Sequence, residues 1–257
     1  MPAGMTTESS QVRRDVPAKM ADRLIVALDV SDIRKARDII EQLDGVVSFF
    51  KIGLWLAFAD GVDGLISDLI SSGKRVFLDA KMFDIGQTVE EGVARAADRG
   101  VSFVTVHGDE RIIKAAMAGK RGRDIKIFAV TVLTSLSDND LKEMGYALGA
   151  KDLVHLRVSK AVEYGCDGII ASPHDDPNEI RRIAKAHSLL IATPGVRPEG
   201  EAVHDHRRHA TPYEAIRAGA DYLVIGRPII EKDDPAAAAR AIIADMERAS
   251  IGVVGQQ

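Results

Sequence analysis

The stretch Val76-Phe77-Leu78-Asp79-Ala80-Lys81-Met82-Phe83-Asp84 begins as an apolar run of strand-forming residues and ends in a carboxylate, an ammonium and a second carboxylate. Successive side chains of a strand point to opposite faces, so Asp79 and Lys81 are predicted to share one face. Charges at the end of a buried strand are costly unless they are paired. The stretch therefore predicts a buried strand whose carboxyl end carries a paired, charged site. A solvated strand end is the alternative interpretation.

The composition is that of an ordinary globular protein. The chain has 257 residues, of which 46% are hydrophobic and 28% are charged, and its net charge is −4. Lysine and arginine are interspersed with acids rather than gathered in a stripe, so no nucleic-acid partner is predicted. The single cysteine, Cys166, cannot form an intrachain disulfide, and no apolar stretch is long enough to span a bilayer. We expect a cytoplasmic protein without a membrane partner.

Eight short apolar runs alternate with segments of helical periodicity, which is the pattern of βα units and a parallel sheet. The predicted strands are 24–29, 48–52, 75–79, 103–107, 126–133, 168–172, 189–193 and 222–226. Helical spacing occurs, among other places, in 32–43, 61–72, 88–99, 178–187, 211–218 and 235–249. Eight such units in about 250 residues predict a single (β/α)8 barrel, the TIM barrel of the α/β class. A doubly wound open sheet is the alternative, but it favours a glycine-rich turn where this chain has Asp29-Val30-Ser31-Asp32.

The barrel is predicted to form one domain over residues 22–250. Residues 1–21 are polar, contain two prolines and lack the apolar core of a secretory signal, so they are predicted to be a flexible arm. Residues 251–257 are predicted to be a C-terminal tail.

Charged and hydroxylic residues recur where the predicted strands end. They are Asp29, Lys51, Asp79 with Lys81, His107, Thr134 with Ser135, Ser172, Arg197 and Arg227. Active sites of (β/α)8 barrels lie at this face. Because adjacent strands place Lys51 beside Asp79 and Lys81, an alternating cluster is predicted in which each charge stabilises its neighbours. A purely structural ion-pair network is the alternative.

Two turns that contain an arginine follow the seventh and eighth predicted strands. They are Thr193-Pro194-Gly195-Val196-Arg197-Pro198 and Val224-Ile225-Gly226-Arg227-Pro228. Barrels often bind phosphate in this corner, where glycine lets backbone N–H groups approach an anion and arginine can hold two of its oxygens. The pair of turns predicts a phosphorylated substrate, and the long connection 195–211 suits a loop that closes over it.

Other chemistry-bearing residues receive a structural interpretation. The seven histidines show no metal-ligand spacing, so no metal site is predicted. Trp55, Phe58 and Met82 are interpreted as packing residues rather than as a platform that stacks a base.

Six short motifs occur in a fixed order along the chain. They are Ala27-Leu28-Asp29, Lys51-Ile52-Gly53, residues 79–85, Val130-Thr131-Val132-Leu133-Thr134-Ser135, residues 193–198 and Gly226-Arg227-Pro228. Over residues 24–246 this set resembles the bacterial orotidine 5′-phosphate decarboxylases. The resemblance implies loss of CO2 from orotidine 5′-phosphate without a cofactor, giving uridine 5′-phosphate in the last step of de novo pyrimidine synthesis. It also implies a homodimer in which Asp84 reaches the partner's site.

The resemblance implies a role for each charged residue. Loss of CO2 leaves a carbanion at C6 of the pyrimidine, which Lys81 stabilises as an ammonium and then protonates. Asp79 and Asp84 keep Lys81 protonated and aimed. Lys51 and Asp29 hold the ribose hydroxyls.

The remaining contacts are implied for the ring, the ribose and the phosphate. Thr88, Thr134 and Ser135 offer hydrogen bonds to the ribose or the ring. Arg197 and Arg227 grip the phosphate, and its binding energy can drive loop closure that favours the transition state.

Three positions depart from the family pattern. Gly86-Gln87 stands where family members commonly have Pro-Asn, and His206 stands where many have a phosphate-loop glutamine. Histidine can donate to phosphate but titrates, so substrate affinity is predicted to weaken above about pH 6.5. The acidic pair Asp109-Glu110 follows His107-Gly108 where small residues are expected.

Two rival hypotheses remain open. The magnesium-dependent sugar-phosphate decarboxylases and hexulose-phosphate synthases share the Asp-x-Lys-x-x-Asp motif, but they have an acidic residue in place of Lys51. The second rival is a phosphate-binding barrel that has lost catalysis and serves as a sensor or partner protein.

Overall fold

The computed structural model describes residues 15–173, 175, 177–183, 189–200 and 210–251. Eight parallel strands close into a barrel in chain order, from β1 to β8 and back to β1. The strands are β1 Leu24–Ala27, β2 Phe49–Gly53, β3 Arg75–Met82, β4 Phe103–His107, β5 Lys126–Val130, β6 Gly168–Ile170, β7 Leu190–Pro194 and β8 Tyr222–Ile225. The predicted (β/α)8 barrel is confirmed, and the open sheet is wrong because β1 pairs with β8.

Helices connect the strands and surround the barrel. They are α1 Ile33–Gln42, α2 Leu54–Ala57, α3 Val62–Ser71, α4 Gly86–Asp98, α5 Glu110–Gly119, α6 Asp138–Glu143, α7 Ala150–Glu163, α8 Pro177–Ile183, α9 Pro212–Arg217, α10 Arg227–Ile230 and α11 Pro235–Ile251. Local sequence explains several starts: the Asp32 carboxylate accepts from the backbone N–H of Arg34 at 2.7 Å, and Thr211 with Glu214 forms a capping box. Within the described residues, no helix has the length and apolar character needed to cross a membrane.

Apolar side chains form two clusters on the two sides of the barrel wall. The larger lies between strands and helices. The smaller fills the interior of the barrel with the rings of Phe49, Phe77, Phe103, Phe128 and Tyr222. The ring centres of Phe49 and Phe103 are 4.8 Å apart, and those of Phe103 and Phe128 are 4.6 Å apart. This aromatic layer fills the amino-terminal half of the interior, which leaves the carboxyl ends of the strands for a ligand.

Residues 15–23 lie against the amino-terminal end of the barrel. Asp15 pairs with Lys126 at the start of β5 at 3.0 Å, and Met20 is buried at the start of a 3-10 helix, Met20–Arg23. Arg23 donates to the carbonyl oxygen of Asp221 at 2.6 Å, just before β8. The arm predicted over residues 1–21 therefore includes a segment that contacts the barrel, and the predicted domain boundaries stay a prediction.

Candidate active site

Strand β3 is irregular where its charged residues begin. Leu78 pairs with Val104 and Met82 pairs with Val106, so four steps along β3 match two steps along β4. Lys81 has a φ of 45°, in the left-handed region that lysine rarely adopts. The predicted pairing of Asp79 with Lys81 is confirmed, since Lys81 Nζ lies 2.8 Å from Asp79 Oδ1, but the strand that carries them is not the regular one expected. A β-bulge, not the regular pleat, sets the direction of Lys81.

Four predicted site residues form a row of alternating charge. Lys51 Nζ lies 2.9 Å from Asp29 Oδ1 and 3.4 Å from Asp79 Oδ2. Lys81 Nζ lies 2.8 Å from Asp79 Oδ1. Because β1, β2 and β3 are neighbours in the barrel, the ends of three consecutive strands bring these side chains together.

Asp79 is the electrostatic centre of the row. The side chains of Lys51 and Asp79 are only 9% and 13% exposed. Burial by itself raises the pKa of Asp79, but the positive charges of Lys51 and Lys81, with hydrogen bonds from Lys81 and Thr105, outweigh it and leave the pKa of Asp79 below its usual value. Asp79 is therefore ionised at neutral pH and holds both ammonium groups.

Thr105 completes the row, and the sequence reasoning missed it. Its buried hydroxyl donates to Asp79 Oδ1 at 2.9 Å and accepts from the backbone N–H of Lys81 at 2.9 Å. The sequence showed only a single hydroxyl in the otherwise apolar run of residues 103–106; the pairing of Phe77 with Phe103, which brings Thr105 level with Asp79, comes from the structure.

The row faces a cavity of about 460 Å³ at the carboxyl end of the barrel. Arg197, Gly226 and Arg227, from the ends of β7 and β8, line the same cavity, as does Thr134 after β5. A Cβ added to Gly53 would stand 3.0 Å from Asp29 Oδ1 and 3.1 Å from Lys51 Nζ. The glycine of the Lys-x-Gly motif thus keeps the space beside the row open.

The predicted phosphate loop is described only at its two ends. The backbone N–H of Arg197 donates to the carbonyl oxygen of Ala210 at 3.0 Å, and Val196 pairs with Ala210. This contact brings residues on either side of the loop together. His206 lies outside the described residues.

Three predicted site residues lie outside the cavity. Asp84 is exposed and its Oδ1 accepts from the backbone N–H of Ile85 at 2.6 Å. Within the described part of the chain it forms no ion pair with Lys81. Thr88, in α4, and Ser135, before α6, are exposed and do not line the cavity.

Large apolar side chains are exposed on either side of Asp84 in the chain and in the segment after β2. Trp55 and Phe58 are 58% and 82% exposed, so their interpretation as packing residues is wrong. Met82, in contrast, packs against the outer core. We use the name apolar rim for the exposed residues Leu54, Trp55, Phe58, Phe83 and Ile85.

In the part of the chain that the structure describes, no group of three or more His, Cys, Asp or Glu side chains is arranged to hold a metal ion. Four cationic side chains of the described residues line the cavity: Lys51 and Lys81 in the row, and Arg197 and Arg227 at the ends of β7 and β8.

Fold and site together define a (β/α)8-barrel protein with an alternating lysine–aspartate row at the carboxyl ends of its first three strands. The chain belongs to the orotidine 5′-phosphate decarboxylase / HUMPS family, whose model matches residues 22–242.

Similar proteins cover nearly the same length. The orotidine 5′-phosphate decarboxylase of Nitrobacter winogradskyi is 49% identical over 225 residues, which are 88% of this chain and 92% of that protein. The protein of the same name from Caulobacter vibrioides is 49% identical over 226 residues, 87% of this chain and 97% of that protein. The crystal structure of orotidine 5′-phosphate decarboxylase from Lactobacillus acidophilus superimposes with a TM-score of 0.77 at 34% identity, covering 88% of this chain and 99% of that one.

Proposed function

We propose that this chain converts orotidine 5′-phosphate into uridine 5′-phosphate and CO2 without a cofactor, as a step of pyrimidine biosynthesis. The observation that carries the proposal is the largely buried, ionised Asp79, held between Lys51 and Lys81 at the wall of a cavity that Arg197 and Arg227 also line. Relatives that carry the name of this activity at 49% identity support it.

The proposed chemistry requires a cation and a proton at one carbon atom. The bond between C6 and the carboxylate breaks, CO2 leaves, and the electron pair remains on C6. The Lys81 ammonium stabilises this charge without rearranging solvent and then transfers a proton to C6. Asp79 holds that ammonium at 2.8 Å, and Thr105 holds the backbone from which Lys81 projects.

The rest of the cavity suits the rest of the nucleotide. In our proposal, Asp29 and Lys51 bind the ribose hydroxyls and Thr134, with Ser135 next to it, binds the ring. Arg197, Arg227 and the backbone at Gly226 hold the phosphate, as two guanidinium groups beside a glycine suit a dianion. The proposal also includes His206 as a phosphate contact of the loop between the described ends.

We further propose that the active form is a homodimer and that Asp84 completes the partner's site. Asp84 is exposed and lies between Phe83 and Ile85 of the apolar rim. Exposed apolar patches of this kind mark association sites, and an isologous contact would carry Asp84 of each subunit toward the other. Thr88, four residues further along the chain, would be brought toward the partner's site by the same contact.

The magnesium-dependent members of the wider family are the rival activity. Here the Lys51 ammonium already occupies the space between the carboxylates of Asp29 and Asp79, which favours the reaction without metal. Activity that survives exhaustive treatment with EDTA is expected, and activity restored only by magnesium would support the rival.

Mixing the purified protein with orotidine 5′-phosphate and following the loss of pyrimidine absorbance tests the proposal. We expect turnover by the wild type, and a loss of about 10³-fold or more in Lys81→Ala. Lys114→Ala is the control, because Lys114 is an exposed lysine that pairs with Glu110 at 2.7 Å outside the cavity. A flat trace from the wild type together with tight nucleotide binding would instead favour a sensor.

A further inference from the structure

Arg157 of α7 is a buried cation that does not line the cavity, and its side chain is 8% exposed. Its Nη1 donates to the carbonyl oxygen of Thr131, the first residue after β5. Its Nη2 donates to Asp109 Oδ2 and to the Tyr146 hydroxyl, each at 3.3 Å. One guanidinium therefore joins the segment after β4, the segment after β5 and the connection between α6 and α7.

The backbone beside His107 is shaped to admit this side chain. A Cβ added to Gly108 would stand 2.6 Å from the carbonyl oxygen of Val130 and 3.0 Å from Arg157 Cδ. Any larger residue at position 108 would displace either the backbone of β5 or the arginine. Gly108 thus allows Arg157 to pass directly between the ends of β4 and β5.

The same contact accounts for Asp109, the first of the two acidic residues that follow His107-Gly108. Asp109 pairs with Arg157, and Glu110 pairs with Lys114 at 2.7 Å and with Lys160 at 3.6 Å. Asp109 therefore belongs to the surroundings of Arg157, whereas Glu110 belongs to a surface network.

Thr131 links Arg157 to the cavity wall. Its backbone N–H and its hydroxyl donate to the carbonyl oxygen of Ile170 in β6, at 3.3 and 2.8 Å. Its own carbonyl is held by Arg157 on the other side. The next three residues, Val132, Leu133 and Thr134, line the cavity.

A contribution to folding stability does not by itself explain why an arginine occupies position 157. Arg157 pairs with a single carboxylate at 3.3 Å whose side chain is 41% exposed, and a buried arginine so weakly compensated is often matched in stability by an apolar side chain of similar size. What an apolar side chain cannot reproduce is the rigid fork of donors that fixes a carbonyl group. We propose that Arg157 is a positioning residue that fixes the segment after β5 through the Thr131 carbonyl, so that Thr134 faces the ring of the bound nucleotide.

This inference rests on the proposed function of the cavity, so its test separates the two. Arg157→Met removes the donors and keeps most of the volume. Arg181→Met is the matched control, because Arg181 also reaches from a helix to backbone carbonyls, those of Leu189 and Gly219, and to the Asp221 carboxylate. Those contacts lie at the amino-terminal ends of β7 and β8.

We expect kcat/KM for orotidine 5′-phosphate to fall about tenfold to a hundredfold in Arg157→Met, as for a misplaced binding group, and to stay near the wild-type value in Arg181→Met. Adding Thr134→Ala to Arg157→Met should cost much less than it costs the wild type, because the two residues act as a unit. Equal kcat/KM in the two arginine variants, or additive effects of Arg157→Met and Thr134→Ala, would overturn the inference.

Amide hydrogen exchange gives a readout that does not depend on turnover. Exchange over residues 131–136 of the ligand-free protein should be faster in Arg157→Met than in Arg181→Met. An unchanged rate there would overturn the positioning role even if the wild type were active. An inactive wild type with faster exchange in Arg157→Met would overturn the proposed function alone. If Arg157→Met does not fold, Arg157→Lys, which keeps the charge but loses the fork, is measured in the same way.

Discussion

The position of the Lys81 ammonium depends on the backbone conformation of Lys81 as much as on its ion pair with Asp79. Its φ of 45° places a residue with a Cβ in the left-handed region, at a cost of about 1–2 kcal/mol. The bulge removes the regular ladder around it, and the Thr105 hydroxyl accepts the N–H of Lys81 instead. Thr105 therefore stabilises both the charge of Asp79 and the strained backbone that carries the proposed proton donor.

Thr105→Val should lower both stability and turnover. Valine keeps the shape but leaves the backbone N–H of Lys81 without its acceptor, which costs about 1–3 kcal/mol of unfolding free energy. We expect kcat to fall at least tenfold, because Lys81 is no longer held at the bulge. Urea unfolding and steady-state kinetics check this, with Thr105→Ser as the control that keeps the hydroxyl. Equal behaviour of the two variants would contradict the role.

His107 should make the protein less stable in mild acid. Burial, followed by the positive charge of Arg157, lowers the pKa of His107 below 6.5, and the opposing charge of Asp109 does not offset them. The folded protein therefore keeps His107 neutral while the unfolded chain takes up a proton at about pH 6.5. Stability is lost as the pH falls from 6.5 toward the folded value, because the unfolded state binds more protons.

The free energies of unfolding at pH 7.5 and pH 5 measure this effect. We expect His107→Gln to lose less stability between these values than the wild type loses. Asp79 does not affect stability between pH 7.5 and pH 5. Because the pKa of Asp79 is lowered in the folded protein, its contribution to stability is lost only below about pH 3.8. Equal losses in His107→Gln and the wild type would show that other groups control the acid response.

At the scale of the element, α4 decides where Asp84 lies, because the helix begins at Gly86, two residues later. The distance between α4 and α5 is set by Gly119, the last residue of α5. A Cβ added there would stand 2.4 Å from the carbonyl oxygen of Glu90 and 2.9 Å from Val93 Cβ, both in α4. A larger residue at position 119 would push the backbones of α4 and α5 apart and so move the start of α4.

Gly119→Ala is expected to destabilise the protein by about 1–3 kcal/mol, since the added methyl group has no free space. Gly64→Ala is the matched control in α3, where the nearest atom to the added Cβ is Arg37 Nη2 at 3.9 Å. That change should stabilise by up to about 1 kcal/mol through helix propensity. Chemical denaturation of both variants checks the opposite signs, and a loss in both would reject the steric argument.

At the scale of the whole molecule, the two ends of the barrel differ in construction. Aromatic rings and residues 15–23 fill and cover the amino-terminal end. The carboxyl end carries the charged row, the cavity and, at its edge, Asp84 beside the apolar rim. A protein that buries one end and leaves charge and exposed apolar surface at the other is suited to bind ligand and partner at the same end.

Shared sites can be tested by mixing two inactive proteins. If Asp84 serves the partner's site, a heterodimer of Lys81→Ala and Asp84→Ala subunits contains one intact site. Random exchange should then restore about one quarter of the wild-type sites. Lys51→Ala mixed with Lys81→Ala is the control, because both residues belong to one subunit's site and no intact site can form. Absence of recovery in the first mixture, with exchange verified by native mass spectrometry, would place Asp84 outside the partner's site.

The sequence was sufficient for the barrel and for the charged residues that line its cavity. Asp29, Lys51 and Asp79 were predictable as neighbours because short βα units place consecutive strands side by side and their carboxyl ends together. Arg197 and Arg227 followed from the same reasoning at strands seven and eight. Chain order and hydrophobic periodicity alone carry this information.

Only the tertiary structure decided the details that aim these residues. The bulge at Lys81 and the hydroxyl of Thr105 depend on how two strands pair, and strand periodicity does not encode a local change of register. Trp55 and Phe58 read as core residues because apolar character does not reveal whether the fold covers a side chain. The burial of Arg157 could not be predicted for a related reason. A charged side chain on a helix is buried only if the neighbouring strand ends offer it hydrogen-bond acceptors, as the Thr131 carbonyl and Asp109 do here.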